Sequence, residues 1–273
     1  MSELYDRGLG YSAISTAKCS ISAVAKTKEG KNIGTEPDVC RFMRGIFQLR
    51  PSKPKYKEIW DVSKLFDHLD KGKDNYELSL KELTKKLCAL ILLESAQRVQ
   101  TIHLIKLENI EMKENLCTIW ITDLVKQSRP GYDLPPLILK ENVKNPKLCT
   151  LSCLKCYLNK TENLRTNTRG QLILCHGAPH GPASSDTISR WLKEILNDAG
   201  IKEFSSHSFR SASSSDMNRK GMTLHSILKT AGWSGEKTFK KYYLKPILSD
   251  TNSVENKTKM KEQKSILNYV QKQ

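Results

Sequence analysis

His207-Ser208-Phe209-Arg210, then Ala231-Gly232-Trp233, then Thr238-Phe239-Lys240-Lys241-Tyr242-Tyr243 bring an imidazole, a guanidinium, an indole and two phenols into one stretch of chain. Turn residues cut that stretch into helices over 207–220, 223–231 and 237–245, with Gly221 and Gly232 between them and Pro246 closing the last. An imidazole three residues ahead of a guanidinium shares its helical face, so His207 and Arg210 can address the same anion. An indole N–H is a donor only, so Trp233 can join those cations on the same anion, and a phenol is a potential nucleophile, so the two tyrosines are candidates for attack.

Working upstream, Ile188, Trp191, Leu192, Ile195 and Leu196 form one apolar stripe ahead of Gly200, which predicts a helix over 186–199. Ser79 and Glu82 have capping-box spacing before Leu80, Leu83, Leu87, Leu90 and Ile91, predicting a largely buried helix from about residue 79 to the mid-90s. Residues 116–125 and 135–139 read as strands on either side of a turn at Arg129, Pro130 and Gly131, hence a short antiparallel sheet. Nearer the start, 11–27 and 36–49 read as helices, the second stopped by Pro51. The expected class is mainly α with a small antiparallel β-sheet, an α+β arrangement. The expected organisation is a small helical unit over 1–50, a basic Pro-containing linker over 51–58, the main domain over 59–249 and a polar, Lys-rich tail over 250–273 that is short enough to be a loose helix.

With 45 Lys and Arg against 29 Asp and Glu, the chain carries a formal charge of +16, spread along it in single and paired positions. Such an excess points to a polyanion, most simply nucleic acid, because each neutralised phosphate releases a counterion. Its longest apolar run, Leu87 to Leu93, falls far short of the roughly 18 to 20 residues that span a bilayer, so no membrane partner is expected. The first residues lack the basic-then-apolar order of a secretory leader, which favours an intracellular protein. Eight cysteines in 273 residues is too few for a disulfide scaffold, and most are expected as small core residues.

The ordered set His207, Arg210, Trp233 and Tyr242 or Tyr243 resembles the C-terminal signature of the tyrosine recombinase, or phage integrase, family. The likeness extends back to Ser95-Ala96-Gln97-Arg98, similar to the segment holding the family's first arginine, and to Lys126 beside the hairpin turn, similar to its strand-loop lysine. Val125-Lys-Gln-Ser-Arg-Pro-Gly131, Asp186-Thr-Ile-Ser-Arg-Trp191 and Ala231-Gly-Trp-Ser234 are most similar to runs in recombinases of eukaryotic mobile elements, of the Crypton and DIRS kinds. The resemblance implies a recombinase catalytic fold behind a helical clamp, duplex DNA as partner, a tetramer on paired sites, a nuclear location, and neither metal nor other cofactor. Many members carry Thr-Gly before the first arginine, where this chain has Ala96-Gln97, and usually have about four clamp helices where this chain shows two, so a partial clamp with weakened DNA affinity is expected.

By the same resemblance the activity is DNA cleavage and rejoining. Arg98 and Arg210 would fork onto the non-bridging oxygens of the scissile phosphate, His207 would handle a proton, Trp233 would donate a third hydrogen bond, and Lys126 would protonate the 5′ leaving oxygen. Lys140, Lys144 and Arg129 are alternatives to Lys126. Counting nine residues from Trp233 gives Tyr242 as nucleophile, whereas the mobile-element pattern Thr-Phe-x-x-(aromatic)-Tyr gives Tyr243, which we favour. Neighbours on a helix point about 100° apart, so only one can face the phosphate.

The same residues admit rival readings. Type IB topoisomerases use the same residue set, and a non-catalytic DNA-binding descendant would keep the basic surface without the chemistry. The helices hinged at Gly221 have the look of a simple helix-turn-helix. Cys153-x-x-Cys156 with Cys175-His176 and His180 has the ligand types of a zinc site, but Leu151, Leu154 and Leu158 run through the same segment at helical spacing and favour core cysteines.

Overall fold

A computed structural model describes residues 1–126, 128–131, 134–165, 170–233 and 235–248. The expected tail over 250–273 lies outside the described residues. The chain divides into two compact units, Met1–Tyr56 and Lys57–Gln273.

The first unit holds α1 (Ser2–Asp6), α2 (Tyr11–Val24) and α3 (Pro37–Leu49). Pro37 starts α3 at a position where its missing N–H costs nothing. Helix α2 ends three residues before the expected position, because Lys26 bridges to Asn32 around a turn in which Gly30 takes φ 78°. Ile14, Met43 and Ile46 are buried together, with Leu4, Tyr5, Leu9 and Phe42 packed against them. Arg50 ties the ends of the unit, its Nη1 donating to the carbonyls of Tyr5 at 2.6 Å and Leu9 at 3.2 Å.

The second unit is mostly helical with a small antiparallel sheet, as the composition of segments predicts. Its elements are β1 (Ile59–Trp60), α4 (Val62–Asp70), α5 (Leu80–Ser95), α6 (Val99–His103), β2 (Ile110–Met112), β3 (Leu116–Ile119), β4 (Leu137–Lys140), α7 (Thr150–Thr161), α8 (Ser185–Asp198), α9 (Ser208–Arg219), α10 (Leu224–Ala231), α11 (Glu236–Tyr242) and β5 (Ile247–Leu248). Helix α5 is the axis. Its capping box is formed, with the Ser79 amide donating to Glu82 and the Glu82 amide to the Ser79 hydroxyl, and Leu83 through Leu93 is buried apart from Lys85. A helix apolar on every side must be covered on every side, and α7, α8, α9 and β4 do so.

The sheet has order β2-β3-β4, with Cys117 opposite both Met112 and Leu139. Its first strand was not expected from the sequence, and the two expected strands are shorter than predicted. Strand β3 stops at Ile119, after which Asp123 turns aside to pair with Lys106 at 2.9 Å. Strand β4 begins at Leu137 because Pro135 and Pro136 have no N–H for the ladder. A two-residue parallel pairing joins β1 to β5, matching Ile59 with Ile247 and Trp60 with Leu248. Four cysteines (Cys88, Cys117, Cys149 and Cys153) are buried; Cys19 is exposed and the others are partly covered, so fewer lie in the core than expected. Among the described residues no helix is long and apolar enough to cross a membrane.

Candidate active site

The site is built where two helices end. Helix α5 stops at Ser95, and Ala96 takes a left-handed conformation with φ 50°, which swings its carbonyl out of the helix. Helix α10 stops at Ala231, and Gly232 makes the same turn at φ 67°. Helix C-termini leave carbonyls without intrahelical partners and carry partial negative charge. One guanidinium serves both ends: Arg210 donates from Nη1 to the Ala96 carbonyl at 2.6 Å and from Nη2 to the Ala231 carbonyl at 2.9 Å. Neutral carbonyls orient the group without cancelling its charge, and Arg210 is only 2% exposed.

The turn at Gly232 lays Trp233 beside that guanidinium, whose central carbon stands 4.0 Å from the ring centroid. Trp233 is buried, and its Nε1 has no hydrogen-bond partner among the described residues. Phe239 and Tyr243 lie one turn apart along the next segment and both pack on the indole, at 5.1 Å and 4.8 Å between ring centroids. The Arg210 guanidinium is 5.5 Å from the Tyr243 ring. Tyr242 instead is 51% exposed, with the Lys241 ammonium 5.1 Å from its ring centroid. The structure therefore brings Arg210, Trp233 and Tyr243 together and turns Tyr242 away.

Arg98 is half-buried at the N-cap of α6, two residues beyond the Ala96 carbonyl that holds Arg210. Between them Gln97 is buried and donates from Nε2 to the Thr230 carbonyl at 3.0 Å, tying the chain beside Arg98 to the end of α10. His207 is the exposed N-cap of α9 and so sits one turn ahead of Arg210. The predicted helix thus starts one residue later than expected, at Ser208. Lys126 is exposed in the loop between β3 and β4, and among the described residues no hydrogen bond or ion pair joins it to the cluster. Ala96 and Gln97 shape the site, although in the sequence they stand out only as a departure from the Thr-Gly pattern.

The far end of α9 is pinned by Arg219, which donates to both carboxylate oxygens of Asp61 at 3.0 and 3.1 Å and to Asp216 at 2.8 Å. Burial alone would raise the Asp61 carboxyl, but the Arg219 bond and the Ser63 amide outweigh it and hold the group below the usual carboxylate range. Cys153 is fully buried on α7, and burial pushes its thiol up to about 12. Among the described residues no group of three or more His, Cys, Asp or Glu side chains is placed to hold a metal ion.

Residues 61–246 match the phage integrase family. Solved structures with a similar fold include the XerH site-specific recombinase bound to a palindromic difH substrate, post-cleavage (TM-score 0.60, 16% identity, covering 86% of this chain and 64% of that one). The Tn1549 transposon integrase in complex with transposon right-end DNA is another (TM-score 0.58, 12% identity, 95% and 82% covered). The XerH pre-cleavage complex aligns with a TM-score of 0.56 at 15% identity, over 90% of this chain and 62% of that one. The chain thus spans somewhat less than two thirds of the length of the XerH chains it matches. No curated protein sequence matches the chain.

Proposed function

The chain belongs to the phage integrase family, and from that premise we propose that it cleaves and rejoins duplex DNA through a covalent phosphotyrosine formed at Tyr243. The observation that carries this reading is the stack of Arg210, Trp233 and Tyr243, with a charged guanidinium fixed by two carbonyls 4.0 Å from the indole and 5.5 Å from the phenol ring.

In this reading the Tyr243 oxygen attacks the scissile phosphorus in line. Its P–O bond forms as the bond to the 5′ oxygen breaks, giving a 3′-phosphotyrosine and a free 5′-hydroxyl. Negative charge grows on the non-bridging oxygens in the transition state, where preorganised donors act most strongly. Arg98 and Arg210 face those oxygens, and the unpartnered Trp233 Nε1 supplies a further donor. The adjacent cation stabilises the negative charge that grows at the reacting centre during attack. His207 takes up the phenolic proton, and Lys126 delivers one to the leaving oxygen. One phosphoester replaces another, so the reverse reaction joins a new 5′-hydroxyl without an external energy source.

Descent from a eukaryotic mobile element of the Crypton or DIRS kind, action in the nucleus and assembly as a tetramer on paired sites belong to the same proposal, supported by the motif runs around Lys126, Trp191 and Trp233. Within it, the helical unit over 1–50 serves as part of a clamp on the duplex, joined through the basic linker over 51–58, and the charge of +16 supplies the general affinity for phosphate.

A library of nicked duplexes of randomised sequence, each able to shed a short 5′-hydroxyl strand on cleavage, traps the covalent state. A denaturant-resistant protein–DNA adduct is the expected product. Tight binding with no adduct would mark a non-catalytic DNA-binding descendant instead.

A further inference from the structure

Helix α9 contains the run Ser213-Ser214-Ser215, and all three side chains are buried. Each is committed to a different neighbour. Ser213 donates to the Leu93 carbonyl of α5 at 2.5 Å, and Ser214 donates back to the Arg210 backbone carbonyl on its own helix at 2.7 Å. Ser215 reaches the tyrosine segment, where its hydroxyl donates to the Tyr243 carbonyl at 3.1 Å and accepts the Lys245 amide at 3.1 Å. A hydroxyl has one donor and two acceptor sites, so both bonds are made at once.

These bonds fall where the backbone would otherwise be loose. Helix α11 ends at Tyr242, and the amides of Tyr243 and Leu244 both close on the Phe239 carbonyl at 2.9 and 3.0 Å. Beyond that point the last carbonyls have no intrahelical donors. Ser215 satisfies the one belonging to Tyr243 itself, from a site 3% exposed, and the Pro246 carbonyl accepts the Ile59 amide at 2.9 Å just downstream. Arg210 and Ser215 stand on the same rigid helix, about 7.5 Å apart along its axis. One helix therefore carries the guanidinium, held by the carbonyls of Ala96 and Ala231, and fixes the tyrosine backbone through a hydroxyl.

We propose that Ser215 is a positioning residue that sets the register of Tyr243 against Arg210, so that the phenol is delivered to a phosphate held by the same chain. The proposal rests on Tyr243 being the nucleophile. Reacting atoms misplaced by about 1 Å lose on the order of 100-fold in rate, while the binding of DNA by the rest of the basic surface is untouched.

The test compares the full chain with Ser215→Ala, Ser215→Cys and the control Ser214→Ala, which removes a buried hydroxyl from the same helix without touching the tyrosine segment. Adduct formation on the nicked-duplex library is measured at saturating DNA, with DNA affinity and Lys245 amide exchange measured alongside. Ser215→Ala should slow adduct formation about 10- to 100-fold, leave affinity within about twofold, and speed Lys245 exchange. Ser215→Cys should fall between it and the wild type, and Ser214→Ala should react at close to the wild-type rate. An unchanged rate in Ser215→Ala, or equal losses in Ser215→Ala and Ser214→Ala, would overturn the assignment while the cleavage reading stands. A wild-type protein that forms no adduct at all would overturn the cleavage reading and this role together.

Discussion

Replacing Arg210 with lysine separates the two tasks that the guanidinium performs. In the native structure it makes two charge-assisted hydrogen bonds, to the carbonyls of Ala96 and Ala231, and lies 4.0 Å from the Trp233 ring. A lysine ammonium is a point donor on a flexible stem and cannot bridge two carbonyls as a planar fork does. One of the two carbonyls is then left buried without its donor, a loss of about 1–3 kcal/mol, and the weaker contact with the indole adds about 0.5–1 kcal/mol. The sum, about 1.5–4 kcal/mol, is a large part of the stability of an ordinary domain. Urea unfolding followed by circular dichroism measures it as a lower midpoint at unchanged slope. Adduct formation under conditions where the variant is fully folded should fall about 100- to 1,000-fold, the usual cost of losing a preorganised charge in a transition state. A variant as stable as the wild type would refute the two-carbonyl clamp. One that is destabilised yet cleaves at the native rate would refute the role of the clamp in positioning charge.

Other outcomes follow from the same structure. Ser79→Ala removes the hydroxyl that caps α5 and should cost about 1 kcal/mol, read as a drop of a few degrees in melting temperature. Asp61→Asn keeps a good cap for α4 but breaks the pair with Arg219, whose side chain is 47% exposed, so the loss near neutral pH should be at most about 1 kcal/mol. Because the folded state lowers the Asp61 pKa, this contribution is fully present above the ordinary carboxylate range and disappears as pH falls through and below it; a wild-type and variant gap that persisted in strong acid would contradict the assignment. Trp233→Phe keeps a ring beside Arg210 but removes the unpartnered Nε1 donor, so adduct formation should fall about tenfold or more. Cleavage at the wild-type rate in that variant would show that the indole serves packing alone.

The parts of the fold that sequence reveals are those fixed by local chemistry. The Ser79–Glu82 box and the stripe on α8 announce their helices because caps and periodicity act within a few residues. Strand β2 escapes notice because Ile110-Glu111-Met112 is short and mostly exposed, with no alternation long enough to read. Helix α4 is masked in the sequence despite Leu65 and Leu69, since its nine residues sit among Asp, Lys and Ser that resemble a loop. The β1–β5 pairing joins two residues to two others far along the chain, and only the folded molecule shows it. The same division applies at the site. Arg98, His207, Arg210 and Trp233 are legible as residue types in order, whereas the left-handed turn at Ala96, the bridging of two helix ends by Arg210 and the hold of Ser215 on the tyrosine segment are long-range contacts with no local pattern. The choice between Tyr242 and Tyr243 is of this second kind, because it depends on which face of α11 meets Trp233.

The most direct measurement is the identity of the amino acid joined to DNA. After trapping on nicked duplex, digestion with nuclease and protease leaves a nucleotide-bearing peptide whose fragmentation locates the linkage. The account predicts a phosphodiester on the Tyr243 oxygen, at the 3′ end of the cleaved strand. A linkage on Tyr242, or to a 5′ phosphate, would contradict it.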